Sequence, residues 1–238
     1  MHEKIAVFDT SDAIANHIIR YIRRHFDHSV ANTLYSLALS GGSTPQSVYA
    51  ALAAETGGVM RDSALILQAD ERMVPYDSAD SNMRMIDETL VTPARIPAEH
   101  IIHVNTALPH IDAAVLYAEA IDSSNYITTG ENGIVQLDCI ILGMGSDGHT
   151  ASLFTESDCE LTGSAVATVP EKLPHLRVSL SYATIINASK IFFIVTGNAK
   201  ARRLANLASG DRTFPAAMVL RNGDNAEVLA DTEAASLL

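Results

Sequence analysis

The stretch from Ile140 to Phe154 reads Ile-Ile-Leu-Gly-Met-Gly-Ser-Asp-Gly-His-Thr-Ala-Ser-Leu-Phe. Residues 137–142 are nearly all apolar, which is typical of a strand covered on both faces of a sheet. Three glycines then follow within six residues, and glycine lets a ligand approach the backbone closely. Asp147 lies among these glycines and His149 directly follows the last of them, so the two side chains can orient each other and move a proton. An α/β protein places its reaction at such a strand end, although a plain connection with a solvated histidine is the alternative.

The composition indicates a globular protein. The chain has 238 residues, of which 47% are hydrophobic and 18% charged, enough for one sizeable core. No apolar run reaches the length of a membrane span, and the N-terminus lacks a signal-peptide pattern, so we expect a cytoplasmic protein with no membrane partner. The two cysteines form no disulfide framework and no zinc-ligand spacing, and we expect Cys139 to be a packed core thiol.

The formal net charge is −12 at pH 7. This argues against a nucleic-acid partner, because phosphate backbones are bound by clustered Lys and Arg. It also sets a condition on any anionic ligand. The few basic residues must converge locally at the site, against the field of the whole protein.

Apolar strands alternate with helical patterns along the chain. This order predicts an α/β fold with a single doubly wound domain over residues 1–238, a mostly parallel sheet and helices on both faces. The predicted strands are 5–8, 33–39, 64–69, 101–104, 137–142, 166–169, 176–180, 190–196, 215–220 and 228–229. The predicted helices are 11–28, 46–55, 83–91, 111–126, 183–188, a segment after Gly197 through Leu207, and 231–238.

A second informative loop reads Ser40-Gly41-Gly42-Ser43-Thr44-Pro45. The two glycines leave backbone N–H groups open beside a helix N-terminus, where donors and dipole together favour phosphate. We expect Thr44 to cap the following helix and Pro45 to occupy its first position. The loop is neither a Walker A motif nor a dinucleotide fingerprint, and an ordinary capped turn is the alternative.

Four predicted strands end in polar loops, at residues 40–45, 70–82, 143–150 and 197–200. In a parallel sheet these ends lie at one edge, where open α/β folds bind ligands. The loops bring backbone donors, Arg72, the Asp147 and His149 pair and Lys200. The acidic residues after Arg72 lack EF-hand spacing, and no metal site is predicted. The set suits a small phosphorylated molecule with a proton-transfer group beside it.

Several segments together resemble the 6-phosphogluconolactonase family. The resemblance runs in family order from about residue 5 to the end, and the 143–154 block is its long and specific part. The chain departs at Thr155, where the family usually has proline, and it lacks a tryptophan often found around residues 228–230. The segments are Ser40-Gly-Gly-Ser-Thr-Pro45, Asp70-Glu-Arg72-x-Val-Pro75, Asp80-Ser-Asn82, Gly143-Met-Gly-x-Asp-Gly-His-Thr-Ala-Ser-Leu-Phe154, Arg177-Val-Ser-Leu180, Gly197-x-x-Lys200 and Pro215-Ala216.

The resemblance implies hydrolysis of 6-phospho-D-glucono-1,5-lactone in the oxidative pentose phosphate pathway by a cytosolic monomer or homodimer. It also implies a modified Rossmann-like fold related to glucosamine-6-phosphate deaminase, with no cofactor and no metal. By position, His149 would be the general base, Asp147 would orient it, and Arg72 would contact substrate or stabilise charge on the lactone oxygen. The substrate and phosphate-binding residues would be Gly41, Gly42, Ser43, Thr44, Asp70, Arg177 and Lys200.

Two rival functions are weighed against this one. Sugar-phosphate isomerases and deaminases of the glucosamine-6-phosphate type need a glutamate shortly after the histidine, and Glu156 comes two residues too late. A non-catalytic sugar-phosphate-binding module is the other rival. The regulators of this fold carry a helix-turn-helix domain first, and we expect none here because the first predicted strand begins at Ile5; both Asp147 and His149 are also present. A serine nucleophile at Ser146 is disfavoured, because the Gly-x-Ser-x-Gly elbow is absent.

Overall fold

The computed structural model describes residues 4–26, 33–171 and 173–238. Its main sheet has seven strands that all pair in parallel, in the order β1-β12-β11-β8-β2-β3-β5. The strands of the chain are β1 (Ile5–Phe8), β2 (Tyr35–Leu39), β3 (Ala64–Gln68), β4 (Asp70–Arg72), β5 (Ile101–Ile102), β6 (Thr128–Thr129), β7 (Val135–Gln136), β8 (Cys139–Gly143), β9 (Ala165–Thr168), β10 (Arg177–Leu180), β11 (Ile191–Val195) and β12 (Ala226–Asp231).

Helices cover both faces of this sheet, and the alternation along β8 shows it directly. Ile140 and Leu142 pack in one core cluster, whereas Cys139 and Ile141 pack in the other, and all four are fully buried. The fold prediction and the core position of Cys139 are therefore confirmed. The helices are α1 (Ser11–Phe26), α2 (Ser43–Ser63), α3 (Asn82–Ile86), α4 (Thr92–Ala94), α5 (His110–Asp122), α6 (Tyr182–Ile186), α7 (Ala201–Ala208) and α8 (Pro215–Asn222).

The chain changes direction in the sheet between β2 and β8. From β2 it continues outward to β3 and β5, and from β8 it continues to β11 and β12 on the other side. Ser40 still donates its backbone N–H to Ile141 O at 3.1 Å, after which the two strands part. Helices following the two strands leave on opposite sides at such a switch point, and a crevice opens there.

A small antiparallel sheet, β4-β10-β9, lies beside the carboxyl end of β3. It begins one residue after β3 ends, and Leu180 N donates to Ala69 O at 2.8 Å to join the two sheets. Its register places Arg177 opposite Arg72 and Ser179 opposite Asp70. Charged and polar residues of β4 and β10 are thereby brought to the edge where the crevice opens.

Two predicted elements near the C-terminus are wrong. Residues 215–220 form helix α8 rather than a strand, because Pro215 suits the first turn of a helix and the run buries one helical face against the sheet. Residues after Asp231 form turns rather than a helix. The Asp231 carboxylate accepts hydrogen bonds from the backbone N–H groups of Gly197 and Ala234. The N–H of Ala234, three residues after Asp231, is therefore bonded to this side chain and not to a helical carbonyl.

Other element boundaries shift. Helix α2 runs from Ser43 to Ser63, well beyond the predicted 46–55, because Thr56 and Met60 continue its buried face past Glu55. The predicted helix over 83–91 is divided into α3, a π-helical turn at Asp87–Val91 and α4. The predicted end of α1 at His28 lies outside the described residues. Within the described part of the chain, no helix has the length and apolarity needed to cross a membrane.

Candidate active site

A cavity of about 430 Å³ occupies the crevice at the ends of β2 and β8. Its wall contains every residue that the sequence predicted for the site except Asp147, which lies behind the wall in contact with His149. Separate loops thus converge, and they bring basic residues of this acidic protein together at one place. The predicted residues on the wall are Gly41, Gly42, Ser43, Thr44, Asp70, Arg72, His149, Arg177 and Lys200.

The first wall is the N-terminus of α2. Gly42 is its N-cap, with φ 109°, a left-handed conformation that favours glycine, and the helix begins at Ser43. The expected cap by Thr44 is wrong, because Thr44 lies inside the first turn and its hydroxyl contacts Thr196 Oγ1 at 3.1 Å. Among the described residues, no side-chain hydrogen bond caps this helix. Its first N–H groups and the positive end of its dipole are therefore open toward the cavity.

The second wall carries the proton-transfer pair. Asp147 Oδ1 lies 2.6 Å from His149 Nδ1 and also accepts the His149 backbone N–H at 3.2 Å. Because a carboxylate only accepts hydrogen bonds, this contact assigns the proton of a neutral imidazole to Nδ1. Nε2 is left with an acceptor lone pair, and it has no hydrogen-bond partner among the residues the structure describes. The His149 side chain is 28% exposed.

The imidazole of His149 is held on two sides. The Phe154 ring lies against it, with ring centroids 4.9 Å apart and planes tilted by 47°. Gly145 lies on another side, where an added Cβ would overlap His149 Nδ1 and Asp147 Oδ1. The backbone closes the same turn, since Gly145 N donates to His149 O at 2.9 Å. The glycines of this loop therefore make room for the pair, in addition to any role toward a ligand.

Hydrogen bonding and charge act on the pKa of Asp147. Partial burial alone would raise this pKa, but the His149 charge and hydrogen bonds from His149 outweigh it and hold the pKa below the usual value. The Asp147 carboxylate is therefore ionised at neutral pH. An ionised carboxylate at Nδ1 stabilises an imidazolium formed by proton uptake at Nε2.

Two arginines form the cationic side of the cavity. Arg177 is only 6% exposed, and its Nη1 is buried without a partner among the described residues. Burial lowers the pKa of Arg177, and the neighbouring Arg72 charge lowers it further. Arg72 is anchored by a 2.7 Å hydrogen bond from Nη1 to Asp80 O. Two converging guanidinium groups with unsatisfied donors are suited to a carboxylate or phosphate.

Lys200 and Asp70 complete the charged lining. Burial lowers the pKa of Lys200, while the charge of Asp147 raises it. Asp70 is buried and accepts a 2.6 Å hydrogen bond from Ser152 Oγ on one carboxylate oxygen. The cavity therefore offers one buried carboxylate among three cations. The carboxylate can accept a hydrogen bond from a hydroxyl of a ligand while the cations bind its anionic group.

Sequence reasoning missed several wall residues, including Asn82, Ser152, Phe154 and Thr196. Asn82, Ser152 and Phe154 lie in motifs that carried the family resemblance, but nothing in their spacing assigned them a contact. Thr196 directly follows β11, and its position beside Thr44 depends on the order of strands in the sheet. No three His, Cys, Asp or Glu side chains of the described residues are grouped as a metal site.

Comparison with known proteins identifies the family of this chain. Residues 9–229 match the family described as glucosamine-6-phosphate isomerases/6-phosphogluconolactonase. The chain therefore belongs to this family. The 6-phosphogluconolactonase of Thermotoga maritima is 31% identical to this chain over 219 residues, with 91% of this chain and 94% of the relative covered.

Solved structures give the same picture. The chain is similar to the 6-phosphogluconolactonase from Trypanosoma brucei, with a TM-score of 0.84, 31% identity and coverage of 99% of this chain and 98% of the other. A monomeric glucosamine-6-phosphate deaminase also superposes, with a TM-score of 0.82, 19% identity and coverage of 99% and 100%. That likeness shows the shared fold alone.

Proposed function

We propose that the protein is a 6-phosphogluconolactonase, which hydrolyses 6-phospho-D-glucono-1,5-lactone to 6-phosphogluconate in the oxidative pentose phosphate pathway. The observation that carries the proposal is the 2.6 Å contact between Asp147 and His149 on the wall of a cavity that also holds an open helix N-terminus and two arginines. The names of the relatives support the same activity.

The reaction begins with a water molecule beside Nε2 of His149. Nε2 takes a proton from this water as its oxygen attacks the lactone carbonyl carbon, and Asp147 stabilises the imidazolium that results. The carbonyl oxygen becomes an oxyanion, and Arg72 is the cation proposed to stabilise it. When the tetrahedral intermediate collapses, the bond from the carbonyl carbon to the ring oxygen breaks. The imidazolium returns its proton to the ring oxygen, which becomes a hydroxyl.

The phosphate is proposed to bind between the N-terminus of α2 and the cations of the cavity, Arg177 and Lys200. Binding the distant phosphate holds the ring ester beside His149, and orientation of this kind lowers the barrier without further chemistry. Because a lactone is already an activated ester, a positioned base with orientation suffices, and we propose no cofactor or metal.

The test is hydrolysis of the 6-phosphorylated lactone and of the unphosphorylated lactone by the purified protein, each corrected for spontaneous hydrolysis, with and without a chelator. We expect rapid hydrolysis of the phosphorylated lactone, much slower hydrolysis of the other, and no effect of the chelator. No acceleration over the spontaneous rate would remove the proposal. Release of ammonia from glucosamine 6-phosphate, or tight binding of the sugar phosphate without turnover, would favour the rival functions.

A further inference from the structure

Glu71 occupies the middle of β4, between the two cavity residues Asp70 and Arg72. Side chains alternate along a strand, so Glu71 points away from the candidate active site and toward a second cavity that Met83 and Ser81 also line. Its side chain is 1% exposed. A buried carboxylate that does not reach the candidate active site needs another explanation.

Five donors meet the two oxygens of Glu71. Oε1 accepts from Arg72 N at 2.7 Å and Asn82 N at 2.8 Å. Oε2 accepts from Gln68 Nε2 at 2.6 Å, from Met83 N at 2.7 Å and, more weakly, from Ser81 Oγ at 3.3 Å. Burial raises the pKa of this carboxyl, and the backbone N–H groups of Asn82, Met83 and Arg72 oppose the rise. The carboxylate thus joins β4 to the first turn of α3.

Both residues held through Oε1 reach the active-site cavity with their side chains. Arg72 is one of its two guanidinium groups, and Asn82 is part of its wall. Asn82 also donates from Nδ2 to Asp70 O at 2.8 Å. Its side chain fills the space beside Gly41, where an added Cβ would overlap the amide. Asn82 therefore packs directly against the glycine turn that precedes α2.

We propose that Glu71 is a positioning residue for the lactone hydrolysis proposed above, acting through Arg72 and Asn82 without touching substrate. A displacement of about 1 Å at a group that binds or stabilises the reacting atoms can cost about 10²-fold in rate. Glu71 holds the backbone of Arg72 in position through the hydrogen bond from Arg72 N to Oε1. This inference rests on the proposed function, and its test is arranged so that the two can fail separately.

The first variant is Glu71→Gln, which keeps the shape of the side chain but replaces one carboxylate oxygen with an NH₂ group. This NH₂ group cannot accept the backbone N–H groups that bond to Glu71. The matched control is Gln68→Leu, which removes one donor to Glu71 and a 2.8 Å acceptor of Val104 N, while leaving the bonds to Arg72 and Asn82. We expect kcat/KM to fall by about 10²-fold in Glu71→Gln and by less than roughly threefold in Gln68→Leu, with both measured well below their Tm values.

A double-mutant cycle with Arg72→Gln separates positioning from general damage. If Glu71 acts through Arg72, Glu71→Gln should lower kcat/KM far less in the Arg72→Gln background than in the wild type. If Glu71 only supports the fold, the two losses multiply. Should Glu71→Gln fail to fold, Glu71→Asp enters the same cycle, because it keeps the charge but is too short to bond β4 and α3 together.

Each outcome decides one point. Multiplying losses, or a folded Glu71 variant with the kcat/KM of Gln68→Leu, overturns the positioning role. Absence of lactone hydrolysis in the wild type overturns the proposed function instead. Coupled losses on an active wild type support the inference.

Discussion

Arg72 and Arg177 are direct cross-strand partners in the antiparallel pair of β4 and β10, and both line the same cavity. Like charges directly opposite each other destabilise a strand pair. Arg177 is buried, and its Nη1 has no partner among the described residues, which adds a desolvation cost. The two arginines are thus less favourable for stability than apolar residues at these positions, and an anion placed between the two guanidinium groups would relieve both effects.

Arg177→Met should therefore stabilise the protein in the absence of substrate while weakening substrate binding. We expect Tm to rise by about 2–4 °C, the shift that corresponds to about 1 kcal/mol in a chain of this size, and KM to rise by about tenfold or more. Thermal melts with and without inorganic phosphate measure the first effect. The exposed Arg202→Met serves as the control. A lower Tm together with an unchanged KM would contradict the anion role of Arg177.

His149→Asn should lower kcat by about 10²-fold or more, because the amide cannot take the proton from water. The exposed His25→Asn, at the far end of α1, is the control and should keep wild-type kinetics. Steady-state kinetics on the phosphorylated lactone measure the effect. Near wild-type turnover in His149→Asn would exclude this residue as the base.

Asp147→Asn should lower kcat by about 10²-fold, because the variant loses the negative charge that stabilises the imidazolium. KM should change little, since Asp147 does not line the cavity. Steady-state kinetics on the phosphorylated lactone measure kcat and KM separately. A rise in KM with unchanged kcat would mean that the pair serves binding rather than proton transfer.

Asp147 also predicts a pH dependence of stability. Its pKa is lowered in the folded protein, so the ionised form favours folding above the unfolded-state pKa of about 3.9, and this contribution is lost as pH falls through the lower folded-state value. The Tm difference between wild type and Asp147→Asn that comes from this carboxylate should therefore shrink as pH falls below about 4. Melting curves between about pH 5 and pH 2 measure it, and a difference that grows below about pH 4 would reverse the assigned sign.

Lys200→Ala should raise KM more than it lowers kcat, because the ammonium is proposed to hold the phosphate, away from the bond that breaks. Lys200→Arg keeps the charge and should show a smaller rise. The unphosphorylated lactone provides a further comparison, since its hydrolysis should not respond to either change. An unchanged KM in Lys200→Ala would rule out the phosphate contact.

The sequence predicted which loops would meet where one physical rule applied. Parallel strands end at one edge of a sheet, so the loops after β2, β3, β8 and β11 had to approach each other. Gly42, Arg72, His149 and Lys200 lie on one cavity for that reason. The Asp-x-His spacing also led to the contact between Asp147 and His149, because a two-residue separation in a tight turn brings side chains together.

The remainder depended on tertiary contacts. The run 215–220 is short and apolar, and such a run does not distinguish a strand from a buried helix by its period. Nothing in the sequence assigned Glu71 a partner, because Asn82 and Met83 lie 11 and 12 residues further along the chain. Thr44 was expected to cap α2, but Thr196, which directly follows β11, engages its hydroxyl instead.

Because β2 and β8 are neighbours in the sheet, residues from both halves of the chain line the cavity. Gly42, Arg72 and Asn82 precede the turn at residues 130–134 between β6 and β7, whereas His149, Arg177 and Lys200 follow it. A polypeptide cut in that turn would yield two fragments, neither of which carries both the glycine turn and the imidazole. Recovered turnover on mixing them would make this chain a split-enzyme reporter of fragment reassociation.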